Sequence, residues 1–216
     1  MTPLLYMHPF AAYCHKALMA FYENGIAFEP RRTDEPATMK ELEALWPFRL
    51  FPVLVDGPHT VMEASIIIEH LQLTRPGPVR LIPSPPAAAL EARFMDRVFD
   101  NYVMEPMQRL VADTFRKSGS DAEGVAAARG RLDTSYAWLE QRMAGREWAA
   151  GDFGLADCAA APALLYADWA HPIAERFGNL RAYRARLLAR PSYARVLDEA
   201  RPYRHLFPLG APTDRD

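Results

Sequence analysis

The sequence predicts two folds in succession on one chain: a mixed α/β segment of order βαβαββα, then a segment built only of helices. Three observations carry this. Alanine occurs 8 times in residues 1–80 and 27 times in residues 87–216, while Val, Ile and Thr fall from 13 to 9. Alanine is the strongest helix former and β-branched residues suit a pleated, half-buried surface, so strands belong to the first segment and helices to the second. Between them, RPGPVRLIPSPP places five prolines within residues 76–86; such a stretch cannot continue a helix or sit in a central strand and reads as an extended connector. The expected division is therefore residues 1–75, a connector at 76–86, and residues 87–216. Finally, the apolar spacing changes period from element to element in the order given.

Each element has its own signal. PLLYM at 3–7 is a short apolar run that suits a buried strand. FAAYCHKALMAFYENG then repeats apolar residues at helical spacing and stops on Gly25, where a glycine ends a helix readily. IAFEPR at 26–31 is the second strand and MKELEAL at 39–45 the second helix, closed by Trp46-Pro47 because the residue before a proline is biased away from the helical region. FPVLVDGPHTVM folds as a hairpin about Asp56-Gly57, and ASIIIEHLQL at 64–73 forms the third helix. In the second segment, helical patterns cover 87–116 and 121–144, parted by KSGSD, and shorter ones follow at 155–170, 179–189 and 192–201.

Composition limits the function. The chain has 216 residues, 50% apolar and 24% charged, close to globular averages. Lys plus Arg is 25 against 27 for Asp plus Glu, too balanced a charge for a footprint on nucleic acid or anionic lipid, so neither partner is expected. No apolar run reaches the ~18 residues of a membrane span, and MTPLLYMHPF lacks the features of a secretory leader; a cytoplasmic protein is expected. Cys14 and Cys158 lack any paired spacing. No G-x-G-x-x-G, P-loop, G-x-S-x-G or H-E-x-x-H occurs, and the six histidines have no helical pairing, which leaves no metal site to expect.

What remains is a constellation. Phe51-Pro52 stands just before the hairpin, Glu63 just before the third helix, and a helix begins directly after the first strand. A proline opening a strand leaves the preceding amide and carbonyl free to pair with an extended peptide, above all with a cis X-Pro bond. A helix N-terminus presents unpaired N–H groups and a positive dipole end, suited to a thiolate or carboxylate. A small acidic peptide carrying a thiol fits both features.

The pieces LYMHPFAAYCHKALMAFYENG, FPVL, MEASIIIEHL, GDFGLADCAAAPALLYA and ARPSYARVLDEARPYRHLFP, in this order and spacing, resemble the cytosolic glutathione transferase superfamily over nearly the whole chain. The resemblance implies a thioredoxin-like first domain, an all-helical second domain, and a cytoplasmic homodimer that binds glutathione and sets its thiolate against a small hydrophobic electrophile. It further implies that Phe51 pairs with the cysteinyl backbone of glutathione, that Pro52 is the cis proline, and that Glu63 takes the γ-glutamyl amine. The serine that holds the γ-glutamyl carboxylate is Ala64 here, with Ser65 next to it; the basic residue expected two before the proline is Leu50, with Arg49 beside it. The hydroxyl or thiol expected to face the glutathione sulfur is Ala11, so that first-turn amides and the phenol of Tyr13 are what is left to stabilise it. Phe10, Tyr102 and Met104 are the expected wall of the electrophile pocket. The resemblance also allows a glutathione-dependent isomerase, or a binding protein of the stress-response kind without turnover.

Overall fold

The computed structural model describes residues 2–215. The first segment builds a four-stranded sheet in the order β2-β1-β3-β4. Strand β1 (Leu4–Met7) pairs parallel with β2 (Glu29–Arg32) and antiparallel with β3 (Val53–Asp56), which turns at Gly57 into β4 (His59–Met62). Gly57 has φ of 60°, a left-handed conformation that suits a two-residue hairpin loop. Helix α1 (Ala12–Glu23) crosses between β1 and β2, α2 (Pro36–Leu45) leads to β3, and α3 (Ala64–Thr74) follows β4. The expected βαβαββα order is the observed one.

Two boundaries differ from expectation for visible reasons. Strand β2 starts three residues later than the sequence implies, because Ile26 closes the end of α1 through its N–H to Phe21 O and Phe28 packs its ring on Phe21 at 4.7 Å. Helix α2 starts earlier, at Pro36, since proline's fixed φ suits the first helical position.

The rest of the chain is helical: α4 (Pro86–Val98), a π-helical run (Phe99–Met104), α5 (Glu105–Asp113), α6 (Ala122–Arg142), α7 (Leu155–Ala170), α8 (Gly178–Ala189), α9 (Pro191–Ala200) and a 3₁₀ turn (Arg201–Leu206). Among the described residues after 87, the sole extended pairing is one bridge between Trp148 and Gly151. The helix expected over 87–116 is thus interrupted by the π run and ends at Asp113. Pro106 accounts for the interruption: it offers no N–H, so the Tyr102 carbonyl has no α-helical partner and accepts instead from Ser135 Oγ at 2.6 Å, while Glu105 N–H bonds five residues back to Asp100.

Every residue of α7 is buried. Its many alanines let α1 and α4 approach closely, and a main core runs from one face of the sheet through the helices, with a smaller cluster of Tyr6, Leu42 and Val53 under α2. The connector is tied down along its length: the Gln72 amide bonds both Ile82 N and Ile82 O, Val79 N donates to Asn24 Oδ1, and Leu155 N donates to Leu81 O at 2.8 Å. That last contact explains the glycine at the start of α7. A Cβ on Gly154 would stand 2.5 Å from Leu81 O. With no side chain there, the helix is capped from Asp157, whose carboxylate accepts from Gly154 N at 2.9 Å, Ala149 N at 3.0 Å and Tyr183 OH at 2.5 Å.

Candidate functional site: the cleft beside the cis proline

The Phe51-Pro52 bond is cis. Neither the amide nor the carbonyl of Phe51 makes a hydrogen bond to the described residues, which leaves both free to pair with an extended ligand. Across from it, Glu63 has φ of 69° and ψ of 122°, a backbone region that a non-glycine residue holds at a cost of ~1–3 kcal/mol. That conformation turns the chain from β4 into α3. Glu63 O accepts the first helical bond from Ile67 N, while the Ala64, Ser65 and Ile66 amides have no backbone partner and present the positive end of α3.

These groups line one cavity of about 300 Å³, together with Tyr13 from α1 and with Arg97, Asp100 and Asn101 from α4 and the π run. Of the residues expected at the site, it gathers Tyr13, Phe51, Pro52, Glu63, Ala64 and Ser65. The others lie elsewhere. Arg49 takes φ of 57° and points toward Glu43, 4.0 Å away, so that Leu50 lines the cavity in its place. Phe10 packs edge-on against Tyr166 at 5.4 Å and beside Trp169. Tyr102 is 52% exposed and Met104 is buried in the core at 1%. The helix face that meets the cleft carries Arg97 and, three and four residues on, Asp100 and Asn101 instead.

Ala11 stands at the N-cap of α1 with no side-chain cap. Its own amide donates to His8 O at 3.0 Å, and its carbonyl accepts from Cys14 N and His15 N; the Ala12 and Tyr13 amides have no backbone acceptor. The loop leading here is braced from three sides, by His8 Nδ1 accepting from Phe10 N, by His15 Nε2 donating to Pro9 O at 2.6 Å, and by Tyr166 OH donating to Phe10 O at 2.8 Å. Burial, with the Asp100 charge second, pushes the Tyr13 phenol up to about 12. Tyr13 is therefore a neutral O–H donor throughout the physiological range. Burial likewise pushes the Cys14 thiol up to about 12, the Cys14 side chain being wholly enclosed. It is a core residue and not a reactive thiolate.

The group that sequence reasoning missed is a buried charge cluster at the back of the cleft. Lys16 Nζ, 1% exposed, pairs with Asp96 at 2.6 Å and Asp100 at 2.7 Å, and donates to Ser65 Oγ at 2.9 Å. Arg97 reaches the same two carboxylates and the same hydroxyl, each at 2.6 Å. Ser65 Oγ thus accepts from Lys16 and Arg97 and donates to Asp96 Oδ2 at 2.9 Å, which uses all three of a hydroxyl's bonding positions. The Ser65 hydroxyl therefore has nothing left for a ligand carboxylate, and only backbone amides remain at that end. Burial pushes the Asp100 carboxyl upward, opposed by Lys16. The signal was present in the sequence, as one lysine beside the apolar run ALMAF and two aspartates one turn apart in RFMDRVFD.

Comparison with known proteins agrees with this geometry. Residues 5–79 match the model for "Glutathione S-transferase, N-terminal domain" and residues 122–186 that for "Glutathione S-transferase, C-terminal domain", together more than half of the chain. A stringent starvation protein A homolog of Pasteurella multocida is 26% identical over 200 residues, covering 88% of this chain and 87% of its own. A probable maleylacetoacetate isomerase of Vibrio cholerae is 29% identical over 167 residues, 75% of this chain and 77% of its own. The crystal structure of a glutathione S-transferase from Methylobacterium radiotolerans, in complex with glutathione sulfonate, superposes with a TM-score of 0.78 at 27% identity, covering 91% of this chain and 94% of that one.

Proposed function

The chain belongs to the glutathione S-transferase superfamily, and from that premise we propose that it binds glutathione in the cis-proline cleft and adds the thiolate to a hydrophobic electrophile. One observation carries the reading: the free Phe51 backbone and the strained Glu63 backbone face the same cavity as the unpaired amides of α3. Strain of this kind persists where the surrounding structure holds a residue for a ligand. In this reading Phe51 pairs with the cysteinyl backbone and Glu63 takes the γ-glutamyl amine. The γ-carboxylate lies on the Ala64 and Ser65 amides, and the sulfur meets the Ala12 and Tyr13 amides and the Tyr13 phenol. Residues 1–75 form the glutathione-binding domain, 76–86 the connector and 87–216 the helical domain. The protein acts as a cytoplasmic homodimer, a reading supported by the exposed apolar side chains Leu90, Phe94 and Trp138 on neighbouring helices α4 and α6.

A second reading has its own support. Ala11 supplies no side-chain donor to the sulfur, and a stringent starvation protein A homolog matches most of the chain, so glutathione binding without turnover is the alternative. Calorimetric titration with glutathione and a conjugation assay with 1-chloro-2,4-dinitrobenzene test both. Binding with turnover supports the transferase, binding without turnover supports the alternative, and absence of binding overturns the site. Turnover of a cis-enone substrate at constant thiol titre would identify an isomerase, the activity in the name of the Vibrio cholerae relative.

A further inference from the structure

Tyr166 belongs to α7, in the helical segment, and reaches across to the loop between β1 and α1. It is 3% exposed, and its hydroxyl donates to Phe10 O at 2.8 Å, its one hydrogen bond to the described residues. Burial holds the phenol well above its ordinary pKa, so it is an O–H donor at every physiological pH. The ring is enclosed by Phe10 at 5.4 Å, Trp169 at 5.3 Å, Phe207 at 5.9 Å and His15 at 5.7 Å. Its orientation is thereby fixed, and the hydroxyl points at one carbonyl. A phenylalanine would serve the packing equally well; only the hydroxyl distinguishes the tyrosine.

The carbonyl it holds governs the start of α1. Phe10 O and Ala11 N–H belong to one planar peptide unit. Ala11 N–H donates to His8 O at 3.0 Å, so this unit is pinned at both polar atoms, once from its own loop and once from α7. Ala11, with φ of −86° and ψ of 125°, joins it to the next unit. There Ala11 O accepts from Cys14 N at 2.9 Å and His15 N at 3.0 Å, while the N–H on the same plane, that of Ala12, has no backbone acceptor. In a trans peptide the two point in opposite directions, so pinning the oxygen aims the free N–H. No side chain caps this helix start. The aim of the Ala12 and Tyr13 amides therefore depends on the planes before them, and a hydrogen bond to an anion weakens steeply once it bends below ~120°.

We propose that Tyr166 is a positioning residue for the sulfur end of the cleft: through Phe10 O it sets the direction of the Ala12 and Tyr13 amides that receive the glutathione sulfur. Resting on the glutathione reading and going beyond it, this makes the helical segment part of the sulfur site without contact to the ligand. Tyr166→Phe is the test, because phenylalanine fills the same space and deletes only the hydroxyl. Thiolate absorbance gives the pKa of bound glutathione, and calorimetry gives the affinity for S-methylglutathione, which has no thiol proton and reports the rest of the cleft. Tyr193→Phe is the control: Tyr193 is fully buried 6.0 Å from His15, and its hydroxyl has no hydrogen bond to the described residues. In Tyr166→Phe the bound thiol pKa is expected to rise, so that the thiolate fraction at neutral pH falls about three- to tenfold. S-methylglutathione is expected to bind within about twofold of the unaltered protein, since Phe51, Glu63 and the α3 amides are untouched. Tyr193→Phe is expected to leave the thiol pKa in place. An unaltered protein that binds neither ligand would overturn the cleft reading and this inference with it. Binding with the same thiol pKa in Tyr166→Phe, an equal shift in Tyr193→Phe, or a loss of S-methylglutathione affinity as large as the loss of thiolate would overturn this inference alone.

Discussion

Replacing Lys16 with methionine isolates the buried charge cluster, because methionine keeps the apolar stem and removes the ammonium. Lys16 and Asp96 are 1% and 3% exposed and Asp100 is 10% exposed, so both carboxylates lose their enclosed counter-ion. Removing one partner of a buried pair costs ~3–5 kcal/mol. Arg97 still reaches both acids, but its side chain is 49% exposed and pairs partly through solvent, which places the loss near the lower end, ~3 kcal/mol. For a chain of this size that is a fall of ~6–12 °C in Tm, read by calorimetry. The pH dependence identifies the cause. Burial holds the Asp100 pKa above its unfolded value even with Lys16 present, so the folded state binds that proton more tightly than the unfolded chain does. Its contribution to stability is then present at low pH and lost as pH rises through the folded pKa. Without Lys16 that pKa rises further, so the deficit of Lys16→Met is greatest at neutral pH and shrinks as pH falls toward ~4, the ordinary carboxylate range. Asp100→Asn in the Lys16→Met background recovers at least part of the loss. A deficit below ~1 kcal/mol, or one that does not vary with pH, would refute the reasoning.

Glu63→Gly is expected to be ~1 kcal/mol more stable than Glu63→Ala in denaturant titrations, because only glycine holds φ of 69° without strain, while both weaken glutathione by ~1.5–3 kcal/mol in calorimetry. Tyr13→Phe removes a neutral donor and is expected to raise the pKa of bound glutathione thiol, followed by thiolate absorbance, and to lower the conjugation rate by the equivalent of ~0.5–1.5 kcal/mol. Ala11→Ser restores a hydroxyl at the first turn of α1 and moves both quantities the other way. Gly154→Ala drives a methyl into the Leu81 carbonyl and is expected to cost ~1–3 kcal/mol in thermal unfolding.

The fold was legible where local chemistry sets boundaries. Gly25 and Asp56-Gly57 mark turns by conformation alone, and the helix expected at 155–170 is α7, Leu155–Ala170, because Gly154, Asp157 and a polar stop at His171 bracket a run that is apolar but for Asp168. Legibility failed where tertiary contacts outrank local pattern. Ile26 and Phe28 have strand propensity yet are used to close and pack α1. Pro106 signals an interruption in its helix, but nothing local says that the answer is a π run or that Ser135, on another helix, supplies the missing donor.

The same distinction runs through the cleft. Phe51, Pro52 and Glu63 stand out in the sequence because what marks them lies in the backbone, a cis bond before a strand and a turn into a helix. Ser65 is less legible, because a serine at a helix start has two uses, and the choice is made by Lys16, Asp96 and Arg97, residues brought to it from 49, 31 and 32 positions away. Once they claim its hydroxyl, the proposed binding mode leaves amides alone for a ligand carboxylate at α3, and amides and one phenol for a sulfur at α1. In that mode both ends of the cleft depend on main-chain donors that only a proline substitution removes and whose direction the helix starts fix. Side-chain replacements at Ala11 and Ala64 then tune such a site, whereas shifting α1 against α3 would dismantle it. Lys16, which bonds α1 to Ser65 on α3 and to Asp96 and Asp100 behind the cleft, is the side chain that holds those two helix starts in register.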